Sequence, residues 1–152
     1  MRSMTVWRRR SVQPMDRALN YLSLARKAGK LELGEEPVGS AARAGHARLV
    51  LVAQDASDHT WRRAKSFVAG SGQACIRLPF SKDEMGAAVG RQELAIAALT
   101  DPAMGVALIK ALPNPEKYAE AMENLAHRAE RIQRHRKEEK AHQRNLRRGK
   151  KK

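Results

Sequence analysis

The side chains that could carry out chemistry are few in this chain and scattered. The single cysteine, Cys75, stands inside an apolar, strand-like stretch. There a thiol packs as a small hydrophobe and does not act as a nucleophile. One cysteine also excludes an internal disulfide framework and a thiolate metal cluster. His46 and His59 are isolated in or near predicted loops. His127, His135 and His142 are eight and seven residues apart, too far for paired ligands one helical turn apart. No metal or cofactor is expected. Glu35 and Glu36 are adjacent, which on a helix points them about 100° apart rather than at one substrate. Charge compensation at a helix start accounts for both. Gly29-Lys30 and Gly34 do not form a nucleotide phosphate loop, and no dinucleotide fingerprint occurs. With no catalytic constellation and no small-molecule site, the chain reads as a non-enzyme.

Charge is what the sequence does carry. Lysine and arginine number 30 against 16 acids, a net charge of +14. Such an excess favours polyanionic partners, because a protein that neutralises phosphates releases their condensed counterions. The excess is uneven. Residues 1–13 hold four bases and no acid, and residues 113–152 hold 13 bases and six acids. Residues 14–112 are closer to balance, with 13 bases and ten acids. A solvated basic appendage at each end is the plain reading. No run of about 18 apolar residues exists to cross a membrane. No apolar segment follows Arg8-Arg9-Arg10 as a signal peptide requires. A cytoplasmic protein without a membrane partner is expected.

Between the basic ends the pattern alternates helix and strand. Leu19, Leu22 and Ala25 recur at helical spacing, with Asp16 as the predicted N-cap and Gly29 as the stop. Lys30 to Leu33 is extended and suits a sheet edge. A second helix follows Gly34 and ends at Gly45. Leu49-Val50-Leu51-Val52-Ala53 has the length and continuous apolarity of a buried parallel strand. Asp55 or Ser57 caps a third helix, which Gly70-Ser71-Gly72 breaks. Residues 74–79 predict another strand. Ser81-Lys82-Asp83-Glu84 has capping-box spacing, residues 94–99 predict a third apolar strand, and Asp101-Pro102 opens a helix. Such alternation predicts an α/β fold, a three-layer α/β/α sandwich with a mixed sheet. Three regions result: a flexible basic arm over residues 1–14, the sandwich over 15–112, and a helical, basic C-terminal extension over 113–152. Pro113-Asn114-Pro115 marks the last boundary. Beyond it Tyr118, Met122, Leu125, Ala129 and Ile132 form an apolar stripe that either docks on the sandwich or pairs weakly.

Two stretches carry a family resemblance. "LSLARKAGKLELGEEPVGSAARAGHARLVLVAQDAS", residues 22–57, and "LPFSKDEMGAAVGRQELAIAALTD", residues 78–101, resemble the ribosomal protein L-seven-Ae / L-thirty-e family in order and spacing. The likeness is greatest to that family's bacterial, ribosomal-protein-like members and spans about residues 15–112. It implies a three-layer sandwich that binds RNA, typically kink-turns, which are bent helices flanked by sheared G·A pairs. Two neighbouring loops would read the RNA. The first corresponds to Gly34, Glu35, Glu36 and Ser40, the second to Val89, Gly90, Arg91 and Gln92. Asp55, Ala56 and Ser57 match the turn after the first long strand, close to the same surface. Lys30, with Arg26 and Lys27, would supply phosphate contacts nearby. Archaeal and eukaryotic members carry Asn-Glu, two further residues, then Lys at the second helix; here those places hold Glu36, Pro37 and Ser40. The apolar second loop of those members is replaced by Arg91-Gln92-Glu93.

The expectation is therefore a non-catalytic protein that binds structured RNA, kink-turn-like or ribosomal, and works on the ribosome or in its assembly. The alternative is a protein-interaction module that uses the C-terminal helix, with only nonspecific affinity for nucleic acid. An enzyme ranks last: the family fold also occurs beside methyltransferase domains, and none fits in this chain. On this reading Gly34→Asp weakens RNA binding and leaves the fold intact.

Overall fold

The computed structural model of the chain describes residues 14–71 and 73–150. The arm expected over residues 1–14 lies outside that range except for Pro14, as do Gly72 of the predicted break and Lys151 and Lys152. In order, the elements are α1 (Pro14–Lys27), β1 (Leu31–Leu33), α2 (Glu35–Arg43), β2 (Leu49–Val52), α3 (Asp58–Val68) and β3 (Ala74–Arg77). There follow α4 (Lys82–Ala88), β4 (Ile96–Leu99), α5 (Pro102–Lys110), a 3-10 turn (Pro115–Tyr118) and α6 (Ala119–Lys150).

The four strands form one sheet in the order β1-β4-β2-β3. β4 runs antiparallel to both β1 and β2, and β3 is parallel to β2. The sheet is mixed, and β2, read as a parallel strand, is parallel to one neighbour only. Its continuous apolar run is nevertheless required, because both faces of the sheet are covered. Leu49 and Leu51 point into one core with Ala97 and Leu99 of β4, while Val50 and Val52 point into the other with Ile96 and Ala98. On the first face lie α1, α4, α5 and the start of α6, through Leu22, Met85, Leu108 and Leu125. On the second lie α2 and α3, through Val38, Ala42 and Ala64. This is the expected three-layer α/β/α sandwich, with β1 at an edge.

Local chemistry sets the element ends. Ser57 caps α3 by accepting from Thr60 N at 3.2 Å, so Ser57, not Asp55, is the cap. Asp55 instead crosses to accept from Lys82 N at 2.8 Å, tying the turn after β2 to the start of α4. The capping box at α4 is complete: Glu84 N donates to Ser81 Oγ and Ser81 N to Glu84 Oε1. Asp101 caps α5, with Pro102 in its first turn. Asp16 is not a cap; α1 begins two residues earlier at Pro14 and includes it. β4 begins at Ile96 rather than Leu94, because Leu94 N donates to Lys82 O and leaves the ladder. β3 ends at Arg77; Leu78 N still reaches Val52 O, but Pro79 has no N–H with which to continue.

The stripe on α6 docks. Leu125 is fully buried against Gly105 of α5, where a Cβ would lie 3.0 Å from the Leu125 Cδ1 atom. Tyr118 donates its hydroxyl to Arg77 O at 3.2 Å. From Gln133 to Arg147 every side chain of α6 is exposed. Cys75 is half-buried on β3, and burial pushes its thiol up to about 12, so it holds no thiolate at neutral pH. Among the described residues no helix is long and apolar enough to cross a membrane.

Candidate nucleic-acid interface

Sheet direction decides which predicted residues meet. β4 is antiparallel to its neighbours, so the segment entering β4 lies beside the segments leaving β1 and β2. Backbone bonds fasten them together: Gly34 N donates to Ile96 O at 3.0 Å and Ala53 N to Ala95 O at 2.9 Å. The Gly34–Glu36 start of α2, the Asp55–Ser57 turn and the loop over residues 89–92 therefore share one end of the sheet.

At that end the three helix N-termini differ. Those of α3 and α4 are closed by Ser57 and Ser81. Gly34, the N-cap of α2, has no side chain to offer, so the first-turn N–H groups of α2 have no capping oxygen. A helix N-terminus left in this state is a place for an anion or a base acceptor. Gly34 has φ 96° and ψ 164°, a conformation essentially restricted to glycine. Gly34→Asp thus strains the backbone and does not leave the fold untouched, contrary to the expectation from sequence. Glu35 is held by Arg63 of α3 at 3.6 Å, whereas Glu36 is exposed.

The second loop presents Gly90, Arg91 and Gln92, all exposed. Val89 does not join them: at 4% exposure it belongs to the core and anchors the loop. Arg26 of α1 does join them, since a Cβ on Gly90 would lie 3.6 Å from its Nη1 atom. Lys30 is at the opposite end of the sheet, paired with Asp101 at 3.6 Å, and its carbonyl accepts from Thr100 N. Ser40 faces a separate groove of about 550 Å³ with Glu32, His46 and Thr100. Neither is brought to the loops.

Gly86 is a positioning residue that the sequence reading passed over. A Cβ there would lie 2.6 Å from the Glu93 Cα and 2.9 Å from the Arg91 carbonyl oxygen. Its own carbonyl accepts from Arg91 N at 2.8 Å. The loop over residues 90–93 can pass over α4 only because this position has no side chain. A glycine inside a predicted helix, where it costs about 1 kcal/mol relative to alanine, was the available signal.

No protein-family model matches the chain. RNA-binding protein YlxQ of Enterococcus faecium is 36% identical to it over 75 residues, which span 49% of this chain and 72% of that protein. This chain belongs to the ribosomal protein L-seven-Ae / L-thirty-e family. Solved structures of the same fold include a protein of unknown function from Bacillus halodurans, with a TM-score of 0.58 and 26% identity, covering 62% of this chain and 94% of that one. Another is the Giardia lamblia 15.5kD RNA binding protein, with a TM-score of 0.55 and 18% identity, covering 68% and 88%. The latter likeness is one of fold. Within the family, this chain's departures now have a physical setting. Pro37 packs over the Gly34 turn, its Cδ 3.9 Å from where a Cβ would stand. Ser40, at the place of the lysine of archaeal and eukaryotic members, is turned away from the loops.

Proposed function

We propose that this protein is a non-catalytic binder of structured RNA, with the loop end of the sandwich as its reading surface. The observation that carries this is the meeting of the uncapped α2 N-terminus with the exposed Gly90-Arg91-Gln92 loop at one end of the sheet. Backbone N–H groups and Gln92 offer donors and acceptors to base edges, while Arg26 and Arg91 offer forked guanidinium groups to phosphates flanking a bend. A relative at 36% identity named as RNA-binding supports the reading. Kink-turn-like RNA, as a free non-coding RNA or within ribosomal RNA, is the target that suits two adjacent loops on a rigid sheet end. A cytoplasmic role on the ribosome or in its assembly follows from that target. The interaction-module alternative loses its principal feature, because the stripe on α6 is occupied by this protein's own core at Leu125.

The test uses the full chain with three RNAs: a kink-turn, the same sequence with its G·A pairs replaced, and a straight duplex. The expected result is tighter binding to the kink-turn than to the other two. Arg91→Glu together with Gln92→Ala should remove that preference by roughly tenfold or more, since both side chains are exposed and neither supports the fold. Equal affinity of the wild type for all three RNAs would sink the proposal.

A further inference from the structure

At the other end of the sheet lies an open cleft of about 1120 Å³. One wall is the end of α2 and the segments entering β2 and β3; the other is the stretch of α6 just beyond its docked turns. Among the described residues six arginines line it: Arg43 and Arg48 from the sandwich, and Arg128, Arg131, Arg134 and Arg136 from α6. Arg128, Arg131 and Arg134 are three residues apart, which sets each about 4.5 Å further along the helix and in one row. None of the six has an ion-pair partner among the described residues. The acids on the lining are Glu138 and Glu139, and His135 Nε2 lies 3.0 Å from a Glu139 oxygen. The remaining titratable group is His127.

The walls are held in place. Arg48 N donates to Leu99 O at 2.8 Å, Gln73 Nε2 to Ala42 O at 3.2 Å, and Arg128 Nη2 to Ser71 O at 3.4 Å. The last bond joins α6 to the loop ahead of β3. The arginines are close enough to feel one another: burial, then the charges of Arg48 and Arg131, pull Arg128 below its ordinary value. Uncompensated like charges brought together by two separate walls are relieved by an anion between them.

We infer that this cleft holds the phosphate backbone of a second RNA segment, on the opposite end of the sheet from the loops. The inference rests on the RNA-binding reading above. The lining chooses backbone over bases and over protein. Among the described residues no Phe, Tyr or Trp side chain lines the cleft, so it lacks the large rings that serve as stacking platforms for bases or as anchors of a protein interface. A repeated row of guanidinium forks fits a repeated phosphate, which each can bind with two parallel hydrogen bonds. Along β2 the two ends are separated by about 20 Å, at roughly 3.3 Å per residue from Arg48 to Gln54. One molecule can then grip a bent RNA at the loops and a neighbouring helix at the cleft.

The test compares two double variants of the full chain with equal charge change. Arg131→Glu with Arg134→Glu alters the cleft; Arg144→Glu with Arg147→Glu alters the distal part of α6. All four side chains are exposed, so neither pair removes core packing. Binding to a straight duplex RNA is measured across salt concentrations. The cleft pair is expected to weaken it by roughly tenfold or more and to flatten the plot of log K against log salt by about two; the distal pair should weaken it by less than about threefold. Kink-turn preference, read as a ratio, should survive in both. Equal losses from the two pairs overturn the inference in favour of a diffuse basic tail. Duplex binding unchanged in the cleft pair, with loss of binding to a polyglutamate peptide, overturns it in favour of an acidic protein partner. If the wild type shows no kink-turn preference, the loop reading fails, while the duplex comparison still decides the cleft.

Discussion

The two ends of the sheet are built on opposite principles. The loop end gathers helix N-termini and the carboxylates that attend them: Glu35, Glu36 and Asp58 stand in first turns, and Asp55 and Glu93 stand in the turns beside them. The cleft end gathers arginines that have no carboxylate partner among the described residues. Helices that follow parallel or edge strands start at the strands' C-terminal end, so their positive dipole ends, and the acids that offset them, collect there. The near balance of 13 bases and ten acids over residues 14–112 hides part of this polarity, since Arg43 and Arg48 belong to that stretch while the other four cleft arginines come from α6. An end rich in carboxylates binds nucleic acid only where geometry is right, which favours selectivity. An end rich in arginine binds phosphate wherever it occurs, which favours affinity.

Salt should separate the two most widely. Six phosphate contacts at the cleft imply a fall in duplex affinity of about a thousandfold between about 50 and 200 mM salt. The ratio of kink-turn to duplex affinity should fall far less over the same range, because base-edge hydrogen bonds release no counterions and only Arg26 and Arg91 add phosphate contacts there. Titrations at several salt concentrations check both; a ratio that collapses with salt would show that the loop end also works by charge alone.

Leu125→Ala attacks the cleft end through the core. The side chain is fully buried where α6 meets Gly105 and Leu49. Truncation should cost about 3 kcal/mol of stability in urea melts. It should also loosen the α6 wall, lowering duplex affinity while kink-turn preference remains. Gly86→Ala attacks the loop end instead. A Cβ 2.6 Å from the Glu93 backbone must push the loop away, at a cost of about 1–3 kcal/mol. Here the preference should fall and duplex affinity should hold. If each variant harms both readouts equally, the ends are not independent.

The sequence made one end far more legible than the other. Gly34, the Asp55–Ser57 turn and Gly90-Arg91-Gln92 sit at element boundaries, where glycine and capping residues are read directly, and the family pattern added their proximity. Continuous apolar runs announced the sandwich, because strands covered on both faces must be apolar throughout. Lys30 misled because nearness along the chain is not nearness in space: three residues of β1 carry the chain from one end of the sheet to the other. Val89 looked like a loop residue, yet only packing shows that its side chain turns inward. The cleft was invisible. Arg43 and Arg48 are about 80 residues from Arg128 and Arg131 in sequence and read as ordinary solvated charges until α6 folds back along α5.

The smallest effect is the most discriminating within the loop end, where a closed helix N-terminus and an open one stand side by side. Ser81 closes α4 by accepting from Glu84 N at 3.1 Å, with Glu84 returning the bond to Ser81 N at 3.0 Å. Ser81→Ala removes one acceptor and should cost about 1 kcal/mol in urea or thermal melts. Because those donors already serve the protein in the wild type, RNA should gain and lose nothing there, and kink-turn affinity should stay within about twofold. The α2 N-terminus has no such internal acceptor, so whatever anion or base edge occupies it must come from the ligand. An RNA affinity that follows Ser81→Ala more closely than stability does would place the contact at α4, and the open N-terminus of α2 would lose its special role.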